Sequence, residues 1–217
     1  MRYLAALDHD HLDNGVFLTS LARSLSQQGA KALRSIIVHA DSAYTDRIIQ
    51  TGVMREEATA RSLKDLNKRL VALFADQGVS TIGINPYKRN FITLKEESLV
   101  LDHAFWERLP SQPVLLLSTL VQDLTHNRQV MIPLPRMLRF LGEEFQPDEL
   151  FIFSKSDDSE IFTAAGQPDS MKWKTMDHSF RETRIPDDLE SFNRRVRLTT
   201  ARDFHELPEI NHTILID

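Results

Sequence analysis

Glycine is scarce in this chain. Its 217 residues hold seven glycines, about 3% against an average usage of roughly 7%. They stand singly at Gly15, Gly29, Gly52, Gly78, Gly83, Gly142 and Gly166. The nearest pair, Gly78 and Gly83, is too widely spaced for a GxGxxG dinucleotide loop. A Walker A loop accommodates that spacing but needs a lysine where Ile84 stands. Both glycine cradles for phosphate are therefore excluded. Cysteine is absent, which excludes disulfides, thiolate zinc sites and cysteine nucleophiles. Long apolar runs are lacking too: the stretch from Val114 to Val121 is far too short to span a bilayer. The opening MRYLAALDHDHLD meets acidic residues too early for a signal peptide, so the expectation is a cytoplasmic protein without membrane contact. Basic charge is in deficit. Lys plus Arg is 26 against 31 Asp plus Glu, a net charge of -5, with no dedicated basic stripe for a nucleic-acid partner.

The remaining sequence alternates strand and helix patterns. Tyr3–Leu7, Ser35–His39, Val79–Ile84, Val114–Ser118 and Leu150–Phe153 read as short apolar strands, the second β-branched and continuous as a strand buried on both faces should be. Asp13 or Asn14 can cap a helix carrying Phe17, Leu18, Leu21 and Leu25, with Gly29 suited to its end. A short helix is expected from Ser42 to Gln50. The clearest helix runs from Glu56 to Asp76. Its Leu63, Leu66, Leu70, Leu73 and Phe74 recur at steps of three and four, and Gly78 suits its C-terminal cap. Phe91–Thr93 and Ser98–Leu101 suggest a hairpin, and His103–Arg108 a helical turn or two. Val130–Ile132 suggests a strand. Leu134–Phe145 is a helix with Pro135 in its first turn, where proline is tolerated. Glu160–Thr163 suggests a small hairpin, and Gln167–Arg194 reads as a polar loop or irregular helix. Arg195–Thr200 and Thr213–Ile216 read as strands around a short helix at Ala201–Leu207. This alternation predicts a three-layer α/β/α sandwich on a mainly parallel central sheet.

Several stretches resemble the amino-acid kinase (carbamate kinase-like) family, most closely acetylglutamate kinase. Ser62 to Asn85, SLKDLNKRLVALFADQGVSTIGIN, is similar to the family's long helix and following strand. IIVHADSA at Ile36–Ala43 resembles the "vvVHGGGp" strand and loop. Pro113–Leu117, QPDELFIFSK at Gln146–Lys155 and the final HTILID fit later segments in order. The resemblance implies a single domain over 1–217, with a substrate and dimerisation side at 1–133 and a shortened nucleotide side at 134–217. It implies phosphoryl transfer from ATP, with Mg2+, to the carboxylate of an N-acyl amino acid. It also implies a homodimer paired through the long helix and central sheet.

The family's phosphate-handling positions are changed throughout. Ala5 stands at the first-strand lysine, and Leu7-Asp8 at the following glycines. Ala40-Asp41-Ser42 replaces the triple-glycine loop. The asparagine and aspartate expected before the Leu134 helix fall on Met131 or Pro133 and on Pro135. Lys155 replaces a nucleotide-side aspartate, and the late glycine-glycine-lysine segment retains only Lys172 and Lys174. Glycines let backbone N–H groups approach a phosphate at a helix N-terminus. Asp41 or Ser42 would instead cap that helix itself. A fixed carboxylate about 4 Å from a phosphate opposes it by about 4 kcal/mol per charge pair at moderate screening. The resemblance therefore implies a catalytically degenerate, pseudokinase-like protein that binds an amino-acid-like small molecule or regulates a partner, a true kinase being one such partner. The alternative is an active divergent kinase drawing on Lys88, Lys155, Lys172 or Lys174.

Individual residues carry competing readings. His9 and His11, with Asp8 and Asp13, suggest an HxH metal site for a hydrolase, or an acidic loop that starts a helix; the loop is preferred, and no metal is expected. His39 ends a buried strand and either touches a ligand or is a packing residue. Arg55 pairs with a substrate carboxylate or is an exposed helix flank. Asn67 sits at a polar position of the long helix and belongs to the site region in the family. Asn85, Tyr87, Lys88 and Arg89 form a loop at a strand's carboxyl end, where α/β proteins bind ligands. Arg194, Arg195 and Arg197 form a basic cluster that reads as an anion site or a solvated face.

Overall fold

The computed structural model describes residues 1–28, 35–155, 168–209, 211 and 213–217. Apolar runs that can bury both faces lie at its centre. Strands β1 (Tyr3–Leu7), β2 (Ser35–His39) and β6 (Val114–Ser118) are buried at every position. With β3 (Thr81–Ile84) and β9 (Glu149–Phe153) they pair in parallel, Leu7 opposite His39 and His39 opposite Ser118. Beyond β9 come β11 (Val196–Thr199), β12 (Ile214–Ile216) and β10 (Ser170–Met171). The described residues thus form an eight-stranded sheet in the order β10-β12-β11-β9-β1-β2-β6-β3, antiparallel at the β11–β12 pair.

Handedness places the helices. The step from β1 to β2 crosses through α2 (Gly15–Gln28), and the step from β2 to β3 through α4 (Arg55–Asp76). Both move the same way along the sheet, and right-handed crossovers put both on one face. The steps through α5 (His103–Arg108) and α6 (Leu134–Phe145) move the opposite way. They land on the other face, where Trp106 of α5 stacks on Phe145 of α6 at 3.9 Å. The result is the three-layer sandwich expected from the alternation. A second sheet, β5-β4-β7-β8, joins β4 (Ile92–Lys95), β5 (Ser98–Leu101), β7 (Leu120–Asp123) and β8 (Arg128–Met131).

Most expected elements stand within a residue or two of their sequence positions. Asn14 caps α2, accepting from the Val16 and Phe17 amides at 3.1 and 3.0 Å. Gly78 takes the left-handed conformation after α4, at φ 78°. The leucine stripe of α4 is core: Leu63, Leu66, Leu70 and Phe74 are buried within this chain. Leu73 of the same stripe is partly buried against that core. Three elements depart from expectation. His9–Leu12 forms a short helix, α1, capped by Asp8. Leu120–Asp123 is a separate strand in the second sheet. The polar tract after 167 contains β10 and α7 (His178–Arg184) and is anchored by the buried Trp173, Ile185, Leu189 and Phe192. The expected hairpin at 160–163, Gly29 and Gly166 lie outside the described residues. Among the described residues, no helix is long and apolar enough to cross a membrane.

Candidate functional site

The carboxyl ends of parallel strands gather the loops of a doubly wound sheet, and ligands bind there. In this chain β1 ends at Asp8, β2 at Ala40-Asp41-Ser42, β6 at Thr119 and β9 at Ser154-Lys155. At the ends of β1 and β2, backbone amides are engaged by the protein's own side chains. At the end of β2, Asp41 Oδ1 accepts from the Ser42 amide at 2.8 Å, Asp13 Oδ2 from the Ala43 amide at 2.7 Å, and Ser42 Oγ from the Tyr44 amide at 3.3 Å. These are the amides that open α3 (Tyr44–Ile49). The same Asp41 oxygen also accepts from the Thr45 and Ser62 hydroxyls. At the end of β1, Asp8 accepts from the His11 amide at 3.3 Å, and Asp188 Oδ2 from the His9 amide at 3.4 Å.

A cavity of about 430 Å3 opens among these turns. It is lined by His9, Asp41, Ser42, Asp46 and Asp188 and by the stretch Met131-Ile132-Pro133-Leu134-Pro135 that leads into α6. Arg55, the first residue of α4, lines it and stands 3.8 Å from Asp46. Thr119 lines it as well; the residue is fully buried, and its Oγ1 has no hydrogen-bond partner. Burial pushes the Asp188 carboxyl above its ordinary value, and the charges of Asp8 and Asp10 push it further, against the His9 amide that favours the ionised form.

Asp41, Ser42 and Arg55 all line this cavity. His39 and Asn67 are joined to each other, as structural groups. His39 Nδ1 donates to the Ala40 carbonyl at 2.9 Å, and its Nε2 accepts from Asn67 Nδ2 at 3.1 Å. Burial pushes the imidazole down to about 4, so it is neutral at pH 7. Asn67 is buried against the sheet, not at a solvated polar position, and also donates to the Leu116 carbonyl at 3.1 Å. That pairing ties α4 to β2 and β6. Asn85 is buried and accepts from Ser118 Oγ at 2.9 Å. Lys88 is exposed in the turn beyond β3, and its charge acts on Lys64 of α4. Neither Asn85 nor Lys88 lines the cavity.

The lysines of the expected nucleotide side are dispersed. Lys155 is engaged by the Asp187 carboxylate and donates to the Glu182 carbonyl at 3.1 Å. Lys172 and Lys174 flank Trp173, whose amide donates to the Asp217 carbonyl at 2.9 Å and whose indole donates to the Arg194 carbonyl at 2.7 Å. Those partners stand at the amino-terminal end of β11, the opposite edge of the sheet. The basic cluster there is engaged in ion pairs: Arg194 with Glu143, Arg195 with Asp217, Arg197 with Glu149. His11 is buried; its Nε2 donates to the Ser154 carbonyl at 2.9 Å, and its Nδ1 lies against the Asp8 carboxylate. Among the described residues, no group of three or more His, Asp or Glu is arranged to hold a metal ion.

Thr119, Asp46 and Asp188 were not found from the sequence. Thr119 follows a buried strand directly, and that position alone was the signal available. Asp188 comes from a tract without periodicity, and no sequence signal places it beside β1.

No family model matches the sequence, and no curated protein matches it. Solved structures do. A product complex of isopentenyl phosphate kinase from T. acidophilum aligns over 100% of both chains, at 11% identity and a TM-score of 0.57. E. coli aspartokinase III in complex with lysine and aspartate aligns over 99% of this chain and 64% of its own, at 10% identity and a TM-score of 0.67. N-acetylglutamate synthase from Neisseria gonorrhoeae, complexed with coenzyme A and L-arginine, aligns over 99% of this chain and 61% of its own, at 14% identity and a TM-score of 0.60. The chain thus spans less than two thirds of the length of the last two. At such identities the likeness is one of architecture, and it agrees with the order of segments read from the sequence: the chain has the amino-acid kinase fold, in a strongly divergent form.

Proposed function

We propose that this chain is a catalytically silent, acetylglutamate kinase-like protein that acts by binding a small molecule at the carboxyl ends of its strands, as a ligand-binding or regulatory protein. One observation carries the reading: the amides of Ser42 and Ala43 at the start of α3 are held by the chain's own Asp41 and Asp13 carboxylates. A phosphate brought to those amides would displace or face fixed negative charge, opposed by about 4 kcal/mol per pair at 4 Å and moderate screening. The buried Ala5 in β1 supplies no compensating cation. Lys155, which an active divergent kinase would draw on at the end of β9, is committed to Asp187, and this weighs against that alternative. ATP and Mg2+ belong to the alternative only.

The test is ADP release from Mg-ATP in the presence of N-acetylglutamate. The expected rate equals that of Mg-ATP without protein. ADP formation that depends on both the protein and the acceptor would sink the reading. The homodimer implied by the family resemblance, paired through the long helix and central sheet, belongs to the same proposal. Light scattering at micromolar concentration is expected to give twice the chain mass, and a single-chain mass rejects the dimer.

A further inference from the structure

The cavity at the strand ends has a polarity opposite to that of a phosphate site. Asp41, Asp46 and Asp188 line it, and Arg55 is the one permanently charged base among its lining residues. Arg55 stands beside Asp46, which leaves no lysine or arginine paired with Asp41 or Asp188 in the cavity; His9 is the basic neighbour of Asp188 there. The hydrogen bonds to Asp41 all fall on Oδ1, so its second oxygen remains available to a donor. The lining also includes the stretch Met131, Ile132, Pro133, Leu134 and Pro135. Met131 of this stretch is 41% exposed, so the apolar lining reaches solvent. A second and independent feature is the Thr119 hydroxyl, fully buried in the cavity lining and without a partner. Buried polar groups are ordinarily satisfied, and a hydroxyl can donate or accept.

We propose that this cavity takes an organic cation: an amine or guanidinium carried on an apolar body, with its charged end facing the Asp41 and Asp188 carboxylates and its body against the Met131–Pro135 stretch. The Asp188 carboxyl is raised by burial first and then by the charges of Asp8 and Asp10, against the opposing pull of His9, and a bound cation relieves the repulsion among the acids. The inference rests on the reading that the site does not serve a nucleotide.

The experiment measures thermal melting of the full chain with 2-phenylethylamine, hexylamine, 3-phenylpropionate, 2-phenylethanol, inorganic phosphate and Mg-ATP, each at millimolar concentration. The amines are expected to raise the melting temperature saturably, with no shift from the carboxylate, the alcohol or phosphate. Asp188→Asn is expected to weaken amine binding by about tenfold, while Arg55→Gln leaves it unchanged or tighter. Arg55 is exposed and Asp188 is only partly covered where it lines the cavity, outside the core, so both variants should fold. Stabilisation by the carboxylate or phosphate equal to that of the amines overturns the proposal. So does the absence of any amine shift, or a loss of binding in Arg55→Gln but not in Asp188→Asn. Stabilisation by Mg-ATP would instead overturn the catalytically silent reading. If neither Mg-ATP nor amines stabilise, that reading stands and only the cation proposal fails.

Discussion

Asp41 Oδ1 accepts the backbone N–H of Ser42 at 2.8 Å, so the first turn after β2 is closed by a carboxylate from within. The Thr45 and Ser62 hydroxyls converge on the same oxygen. This carboxylate holds the β2 loop to α3 and, through Ser62, to α4. Asp41→Ala removes an acceptor shared by three donors. It is expected to cost about 1 to 2 kcal/mol, a fall of several degrees in melting temperature for a chain of this size. Scanning calorimetry checks it; an unchanged or higher melting temperature contradicts the structural role.

The His39–Asn67 pair makes a larger prediction. Asn67→Ala leaves the His39 Nε2 and the Leu116 carbonyl without their donor inside the core. Each stranded group costs about 1 to 3 kcal/mol. Urea unfolding is expected to show a loss of about 3 kcal/mol with little change in slope. A loss below 1 kcal/mol would mean that the pair is dispensable.

Gly83 lets α4 approach the edge strand β3. A Cβ at this position would lie 2.5 Å from Asn67 Oδ1 and 2.8 Å from Val71 Cγ2. Gly83→Ala is expected to destabilise by about 1 to 3 kcal/mol through overpacking. Combined with Asn67→Ala, which removes the nearer obstacle, it should cost clearly less than the sum of the two single changes. Strict additivity in the double-mutant cycle would show that the two residues do not press on each other.

The buried His39 also sets a pH dependence. Its pKa is pushed down to about 4 in the folded chain from an ordinary value of 6.5. As pH falls below 6.5 the unfolded chain takes up a proton that the folded chain refuses until near pH 4. Stability from the neutral imidazole is thus complete above pH 6.5 and is lost as pH falls through this window, by about 2 to 3 kcal/mol at pH 4.5. Denaturant unfolding of the wild type and His39→Gln at pH 7, 5.5 and 4.5 isolates this from the carboxylates. The wild type should lose more stability than the variant; equal losses would contradict a neutral buried His39.

What the sequence discloses about the architecture follows from local physics. The continuous β-branched run Ser35–His39 and the leucine spacing of α4 are local patterns, and both elements stand where those patterns put them. The run from Val114 to Asp123 is different. It reads as one apolar stretch, yet β6 ends at Ser118 and β7 begins at Leu120, with only Thr119 between the two sheets. No turn residue marks that change of direction. The tract 168–194 hides its anchors because Trp173, Ile185, Leu189 and Phe192 are spaced too widely for any period. Its contribution to the cavity, Asp188, depends on packing remote in sequence. The Asp41 side chain could be anticipated from its place at a strand end ahead of a helix, whereas Lys172 and Lys174 could not be placed, since the direction of β10 decides which edge of the sheet they occupy.

A chain that fills its own amides should not hold a nucleoside triphosphate. Isothermal titration of the full chain with Mg-ATP measures this directly. No saturable heat is expected at millimolar nucleotide, and none after Asp188→Asn. A saturable isotherm, with stabilisation approaching the roughly 2.7 kcal/mol expected at a hundredfold excess over Kd, would contradict the catalytically silent reading.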